Sequence, residues 1–283
     1  MSSELRVGFR AVDGLQIRFA ESGGSASQRL VLTSPWPESQ YAFERVWPRL
    51  SRTARLVAID LPGFGRSQRR TSLLSPTAMS DFLIRILDDW DINDPHLICP
   101  GTGTAAALFA AANYPGRVRS LVIGSGSAAY PLAVGGAWQD LIQAPGIDAL
   151  RPQDPAALVQ AMMTELGPAA PASDIIADYI ESNRGDRFAE AARYVRSYPD
   201  QLRLLAGRLP GIFTPVQIIT GRRDRLVPAA NAHFLLDRLP NSRLEVLDAG
   251  HFVWEEAAGP YGAIITAWVN GGYLTGNSGM GQP

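Results

Sequence analysis

The feature that most constrains this 283-residue chain is an alternation. Short apolar runs, too brief for helices, take turns with longer stretches whose apolar residues recur at helical spacing. The runs Arg29–Thr33, Arg55–Asp60, His96–Cys99, Ser120–Ile123, Val216–Thr220 and Arg243–Leu247 predict strands. Ahead of them, Leu5–Val12 and Leu15–Glu21 flank Asp13-Gly14 and predict a hairpin. Between the runs, Ser80–Trp90 carries Phe82, Leu83, Ile86, Leu87 and Trp90 at helical spacing, and Ala105–Asn113 is alanine-rich. Strand, helix, strand in this order implies right-handed crossovers. The expected fold class is α/β: a mostly parallel eight-stranded sheet with helices on both faces.

From about Ala128 to Leu209 the alternation stops. Helices are expected around Trp138–Gln143, Ala156–Glu165, Asp174–Asn183 and Phe188–Leu205, with prolines between them. Residues 128–210 therefore read as a helical lobe inserted into a core made of residues 1–127 and 211–271. Residues 272–283 read as a flexible tail.

Composition removes several function classes. Lys+Arg 26 against Asp+Glu 27 leaves no basic excess for a nucleic-acid backbone. There is no lysine, so a Schiff-base, P-loop or kinase lysine is excluded. One cysteine, Cys99, allows no disulfide within the chain, and three scattered histidines suggest neither a metal nor a cofactor site. No signal peptide or membrane span is evident, so a cytoplasmic setting is expected. The expected partner is a small-molecule substrate, with a homodimer left open.

Ligands of open parallel sheets bind beyond the carboxyl ends of the strands. The segments there are Ser34-Pro35-Trp36-Pro37-Glu38, Pro100-Gly101-Thr102-Gly103-Thr104, Gly221-Arg222-Arg223-Asp224 and Ala249-Gly250-His251-Phe252. With Asp60-Leu61-Pro62-Gly63-Phe64-Gly65-Arg66-Ser67, these segments resemble α/β-hydrolase-fold proteins along nearly the whole chain. The closest branch is that of the epoxide hydrolases and haloalkane dehalogenases. The resemblance implies that Asp224 is the triad acid, His251 the triad base, and residues 128–210 the cap. It implies oxyanion donors at the backbone N–H groups of Trp36 and Thr102. Cap aromatics such as Tyr194, on the pattern of the branch's epoxide-holding tyrosines, and Trp138 are expected to line the pocket. Trp36 is expected to wall it for a flat or polycyclic ligand.

The chain departs from the family in two places. The family's nucleophile position aligns with Gly101, and Ser34-Pro35 stands where the family has histidine and glycine. Glycine cannot form a covalent intermediate. The leading expectation is therefore a cofactor-independent enzyme that uses His251 and Asp224 for acid–base chemistry. It would cyclise by carbon–carbon bond formation, or eliminate, on a polycyclic or aromatic natural-product intermediate. One alternative is an epoxide or ester hydrolase using His251-activated water. Another is a non-catalytic small-molecule-binding protein. His96, His233 and Cys99 read as structural.

Overall fold

The structure, a computed structural model, describes residues 5–24, 26–151 and 153–274. Eight strands are present: β1 Arg6–Val12, β2 Leu15–Glu21, β3 Arg29–Thr33, β4 Arg55–Ile59, β5 His96–Pro100, β6 Ser120–Gly124, β7 Val216–Gly221 and β8 Ser242–Leu247. They form one sheet in the order β1-β2-β4-β3-β5-β6-β7-β8. The β1–β2 hairpin is antiparallel, β2 runs antiparallel to β4, and all later pairs are parallel. The outermost β1 is mostly exposed and keeps Arg6 and Arg10 on an edge, which discourages pairing with other chains. Central β5, β6 and β7 are buried throughout, which explains their mostly apolar sequences.

Alternation along the strands builds two cores. Val31, Leu97, Cys99, Leu121, Ile123 and Ile218 face one side of the sheet, while Leu30, Leu32, Ile98, Val122 and Ile219 face the other. The helices are α1 Trp47–Leu50, α2 Pro76–Asp89, α3 Gly103–Asn113, α4 Gly136–Gln143, α5 Pro155–Glu165, α6 Ser173–Ser182, α7 Arg187–Arg196, α8 Tyr198–Ala206, α9 Ala230–Leu236, α10 Val253–Glu256 and α11 Ala258–Val269. Residues of α2, α3 and α9 fill the first core, and those of α1 and α11 the second. Helix α3 buries Ala105–Ala107, Ala110 and Ala111, small side chains that let it lie between α2 and the sheet. Ser75 caps α2 by accepting from the Ala78 N–H, and Pro76 opens it.

Helices α4–α8 follow β6 and precede β7. One long helix over Phe188–Leu205 was expected, but Ser197 separates α7 from α8. Pro199 has no N–H to give to the Val195 carbonyl, so it opens a new helix instead of continuing the old one. Of the expected tail, the structure describes residues 272–274. Gly272–Leu274 forms a 3₁₀ turn whose Tyr273 ring meets His96 at 5.1 Å and Trp268 at 6.4 Å. The rest of that expected tail, 275–283, lies outside the described residues. Among the described residues no helix is long and apolar enough to cross a membrane.

Candidate active site

The strand order reverses at β3, which has β4 on one side and β5 on the other. A crevice opens at such a switch point, beyond the carboxyl ends of the two strands that diverge. The loop after β3 carries Pro35 and Trp36, and the turn after β5 carries Gly101 and Thr102, so topology alone sets these segments side by side.

Gly101 has φ +58°, a left-handed conformation that glycine adopts without strain. Its N–H donates to the Gly124 carbonyl at 2.9 Å, and its own carbonyl accepts from Thr104 N–H at 3.1 Å, opening α3. A Cβ at Gly101 would lie 3.0 Å from Pro35 Cβ and 3.7 Å from Trp254 Cη2. The N–H groups of Trp36 and Thr102 make no hydrogen bond within the described chain. Two donors are therefore left open at this crevice.

The ends of β7 and β8 supply the titratable pair. Asp224 Oδ2 lies 2.9 Å from His251 Nδ1. The other carboxylate oxygen, Oδ1, accepts from Leu226 N–H at 3.0 Å and Val227 N–H at 2.8 Å, which fixes the carboxylate in its turn. An ionised carboxylate only accepts, so Nδ1 carries the proton and Nε2 is left as the basic nitrogen. The Asp224 side chain is fully buried and that of His251 is 10% exposed.

Trp36 is locked from the cap side. Its indole N–H donates to Asn183 Oδ1 at 3.0 Å, and Asn183 Nδ2 donates to the Pro37 carbonyl at 2.6 Å. The Trp36 ring packs at 4.7 Å from Phe188 and 5.4 Å from Trp138. These aromatics, with His251 and Phe252, line a cavity of about 540 Å³ beneath the cap. Below it lies a void of about 10 Å³, enough for roughly one water, lined by Trp36, Gly101, Thr102, Trp138 and His251 among others. The structure thus gathers Trp36, Gly101, Thr102, Trp138, Asp224 and His251 in one place.

Tyr194 is not where the resemblance implied. Its hydroxyl donates to the Thr102 carbonyl at 3.0 Å, its ring packs edge-on to Phe64, and it lines neither cavity. The rotation of α7 directs it into the core, and burial pushes its phenol well above its usual range. It is a strut between cap and turn rather than a free donor. Thr104 Oγ is occupied by the Cys99 and Gly124 carbonyls. Burial pushes the Cys99 thiol up to about 12, so it stays protonated and unreactive. His96 is at the opposite end of β5, bonded to Ser120 and held down to about 4 by burial, while His233 is exposed on α9. Among the described residues no three His, Cys, Asp or Glu side chains gather as a metal site.

Sequence reasoning missed Asn183, Ser125 and Ser127, because nothing local marks them. It also missed a buried carboxyl pair behind the β3 loop. Glu38 accepts from Trp254 Nε1 at 2.9 Å, and Glu255 accepts from Tyr179 OH at 3.3 Å. Burial, with the negative charge of Glu255, pushes Glu38 well above the carboxylate range. Burial also raises Glu255 to about 7 against the opposing charge of Arg45. Between the ordinary carboxylate pKa of about 4.3 and neutrality, the folded chain then binds more protons than the unfolded one. Stability is expected to fall as pH rises through that window, by up to about 1.4 kcal/mol per pH unit for each proton held. Urea unfolding at pH 5 and pH 8 measures it, and Glu255→Gln should flatten the slope.

The comparisons agree with this architecture. The family model described as alpha/beta hydrolase fold matches residues 29–258, and the chain belongs to that family. The chain is 29% identical over 257 residues to the dihydrolipoyllysine-residue acetyltransferase component of an acetoin cleaving system from Pseudomonas putida. That alignment covers 87% of this chain but only 65% of the relative, so the chain spans just under two thirds of that protein's length. A 2-hydroxy-6-oxononadienedioate/2-hydroxy-6-oxononatrienedioate hydrolase from a Pseudomonas species is 26% identical over 72% of this chain and 73% of its own. Epoxide hydrolase A from Mycobacterium thermoresistibile superposes with a TM-score of 0.76 at 19% identity, covering 95% of this chain and 99% of that one. At that identity the likeness concerns the fold.

Proposed function

We propose that the protein is a hydrolase that attacks its substrate directly with water, without a covalent enzyme intermediate. The observation that carries this reading is the one-water void shared by Gly101, Thr102, Trp36 and His251, with a glycine, Gly101, at the turn directly after β5. A water there meets His251 Nε2, which takes its proton while Asp224 stabilises the resulting imidazolium through Nδ1–H. The hydroxide adds to an epoxide or acyl carbon. Negative charge developing on the substrate oxygen falls to the Trp36 and Thr102 N–H groups. His251 then returns the proton to that oxygen or to the leaving group, so the reaction consumes one water and nothing else. Relatives bearing hydrolase names support this order over the non-hydrolytic one expected from sequence.

The cavity favours a neutral, largely apolar, aromatic substrate. Its walls include Trp36, Trp138, Phe188 and Phe252. The charged residues among its described lining are Asp140 and Glu165, with no arginine. A dicarboxylate such as the one named for the Pseudomonas hydrolase would find no counter-charge there. The same aromatic walls keep cyclisation or elimination by His251 as the second reading.

A single-turnover experiment in ¹⁸O-water, with styrene oxide as the probe, separates the readings. Direct attack puts the label in the first-turnover diol. Label in the protein with unlabelled diol would establish an ester intermediate on a protein carboxylate and sink the proposal, as would no turnover of the epoxide.

A further inference from the structure

Three buried polar atoms around the small void have no protein partner: Ser125 Oγ, Ser127 Oγ and Trp138 Nε1. Buried hydroxyls and indole N–H groups normally find partners, and few are left unpaired in a folded domain. Here all three belong to side chains lining the same space, which has room for about one water.

The backbone gives an independent sign. Ser125 follows the last residue of β6 with φ +43°, a left-handed conformation that a serine rarely adopts. Strain of this kind persists where surrounding structure imposes it, and it concentrates at functional sites. The next residue, Gly126, packs directly beneath the β5 turn: a Cβ there would collide with the Gly101 carbonyl oxygen. The segment 125–127 is thus pressed against the Gly101 turn and faces the void that His251 also lines.

We infer that Ser125, Ser127 and Trp138 form the cradle that holds the attacking water. The inference rests on the reading of this void as the hydrolytic centre. The Trp138 indole N–H donates to the water oxygen, and the two hydroxyls rotate to donate or accept as required. One water proton is left to point at His251 Nε2. With Trp138 on one lone pair, one proton on His251 and the second proton shared between the two serine oxygens as acceptors, the other lone pair stays free to face a substrate in the cavity. No residue of the cradle changes covalently. Its work is to hold one oxygen in place.

The test is a high-resolution crystal structure of the wild type, followed by Ser125→Gly and Ser127→Ala. The expected wild-type result is one water within hydrogen-bond distance of Ser125 Oγ, Ser127 Oγ, Trp138 Nε1 and His251 Nε2. Ser125→Gly should lose that water and raise the thermal midpoint, because glycine relieves the left-handed strain. Ser127→Ala should lose or displace the water with little change in midpoint. With a turned-over probe, both variants should lower kcat by roughly 10- to 100-fold at nearly unchanged KM, since positioning acts on the chemical step. A dry void, or hydroxyls turned to backbone carbonyls, overturns the cradle. A water in place without ¹⁸O in any product would leave the cradle standing and overturn the hydrolytic reading instead.

Discussion

Replacing His251 by alanine is expected to lower turnover by about 10²–10⁴-fold, the usual worth of a positioned general base. Ligand affinity should hardly change, because His251 occupies the floor of the cavity while Trp36, Trp138 and Phe188 make its walls. Tryptophan fluorescence on binding 1-naphthol reads affinity independently of turnover. Asp224→Asn should follow the same direction. It keeps an oxygen for the Leu226 and Val227 N–H groups but turns an amide N–H toward Nδ1, so the imidazole is pushed to the wrong tautomer. Equal turnover in wild type and His251→Ala would mean that the Asp224–His251 pair is structural. A parallel loss of affinity would mean that His251 serves binding, as in a non-catalytic ligand carrier.

Much of the fold was legible because strand ends carry their own punctuation. Most apolar runs stop at or just before glycine, proline or aspartate where the chain must turn, and the order of those stops foretells the sheet. The catalytic-looking pair was legible for the same reason: Asp224 and His251 occupy the first turns after β7 and β8, where backbone geometry, not packing, sets the side chain's direction. Side chains on the cap helices behave differently. Whether Tyr194 or Trp138 reaches the cavity depends on how α7 and α4 rotate against the sheet. One turn carries a residue from wall to core, and nothing local records that rotation. Tyr194 went to the core and Trp138 to the cavity.

The remaining gaps have a common cause. Asn183 matters because α6 ends beside the β3 loop, so that its amide bonds both Trp36 and Pro37 across 147 and 146 positions of chain. Ser125 and Ser127 matter because their hydroxyls remain unpaired in a void whose walls come from several separate segments. An unpaired hydroxyl is a statement about all its neighbours at once. A sequence of small residues such as Gly124-Ser125-Gly126-Ser127 carries no trace of it. The proline at position 35 was legible as a departure from the family, but its consequence was not.

That consequence concerns Gly101. A carboxylate introduced there by Gly101→Asp alone is expected to fail. Its Cβ would sit 3.0 Å from Pro35 Cβ, on a ring that cannot swing away, and the left-handed backbone adds about 1–2 kcal/mol for a side-chain-bearing residue. The double variant Pro35→Gly/Gly101→Asp removes the obstruction and leaves only the backbone cost, which aspartate bears better than most residues. Adding His251→Ala withholds the base that would hydrolyse an ester, so a substrate adduct on the introduced carboxylate should accumulate. Intact-protein mass after incubation with styrene oxide reads it directly: the carboxylate opens the epoxide, the alkoxide takes a proton from solvent, and the protein gains the mass of the whole epoxide. The expected result is an adduct in Pro35→Gly/Gly101→Asp/His251→Ala and none in Gly101→Asp/His251→Ala. An adduct in both would show that Pro35 yields and that position 35 does not gate covalent chemistry. No adduct in a folded triple variant would mean that the turn after β5 no longer aims a side chain at the substrate. Pro35 and Gly101 act as a pair: with proline on one side of the crevice, a side chain on the other side is crowded.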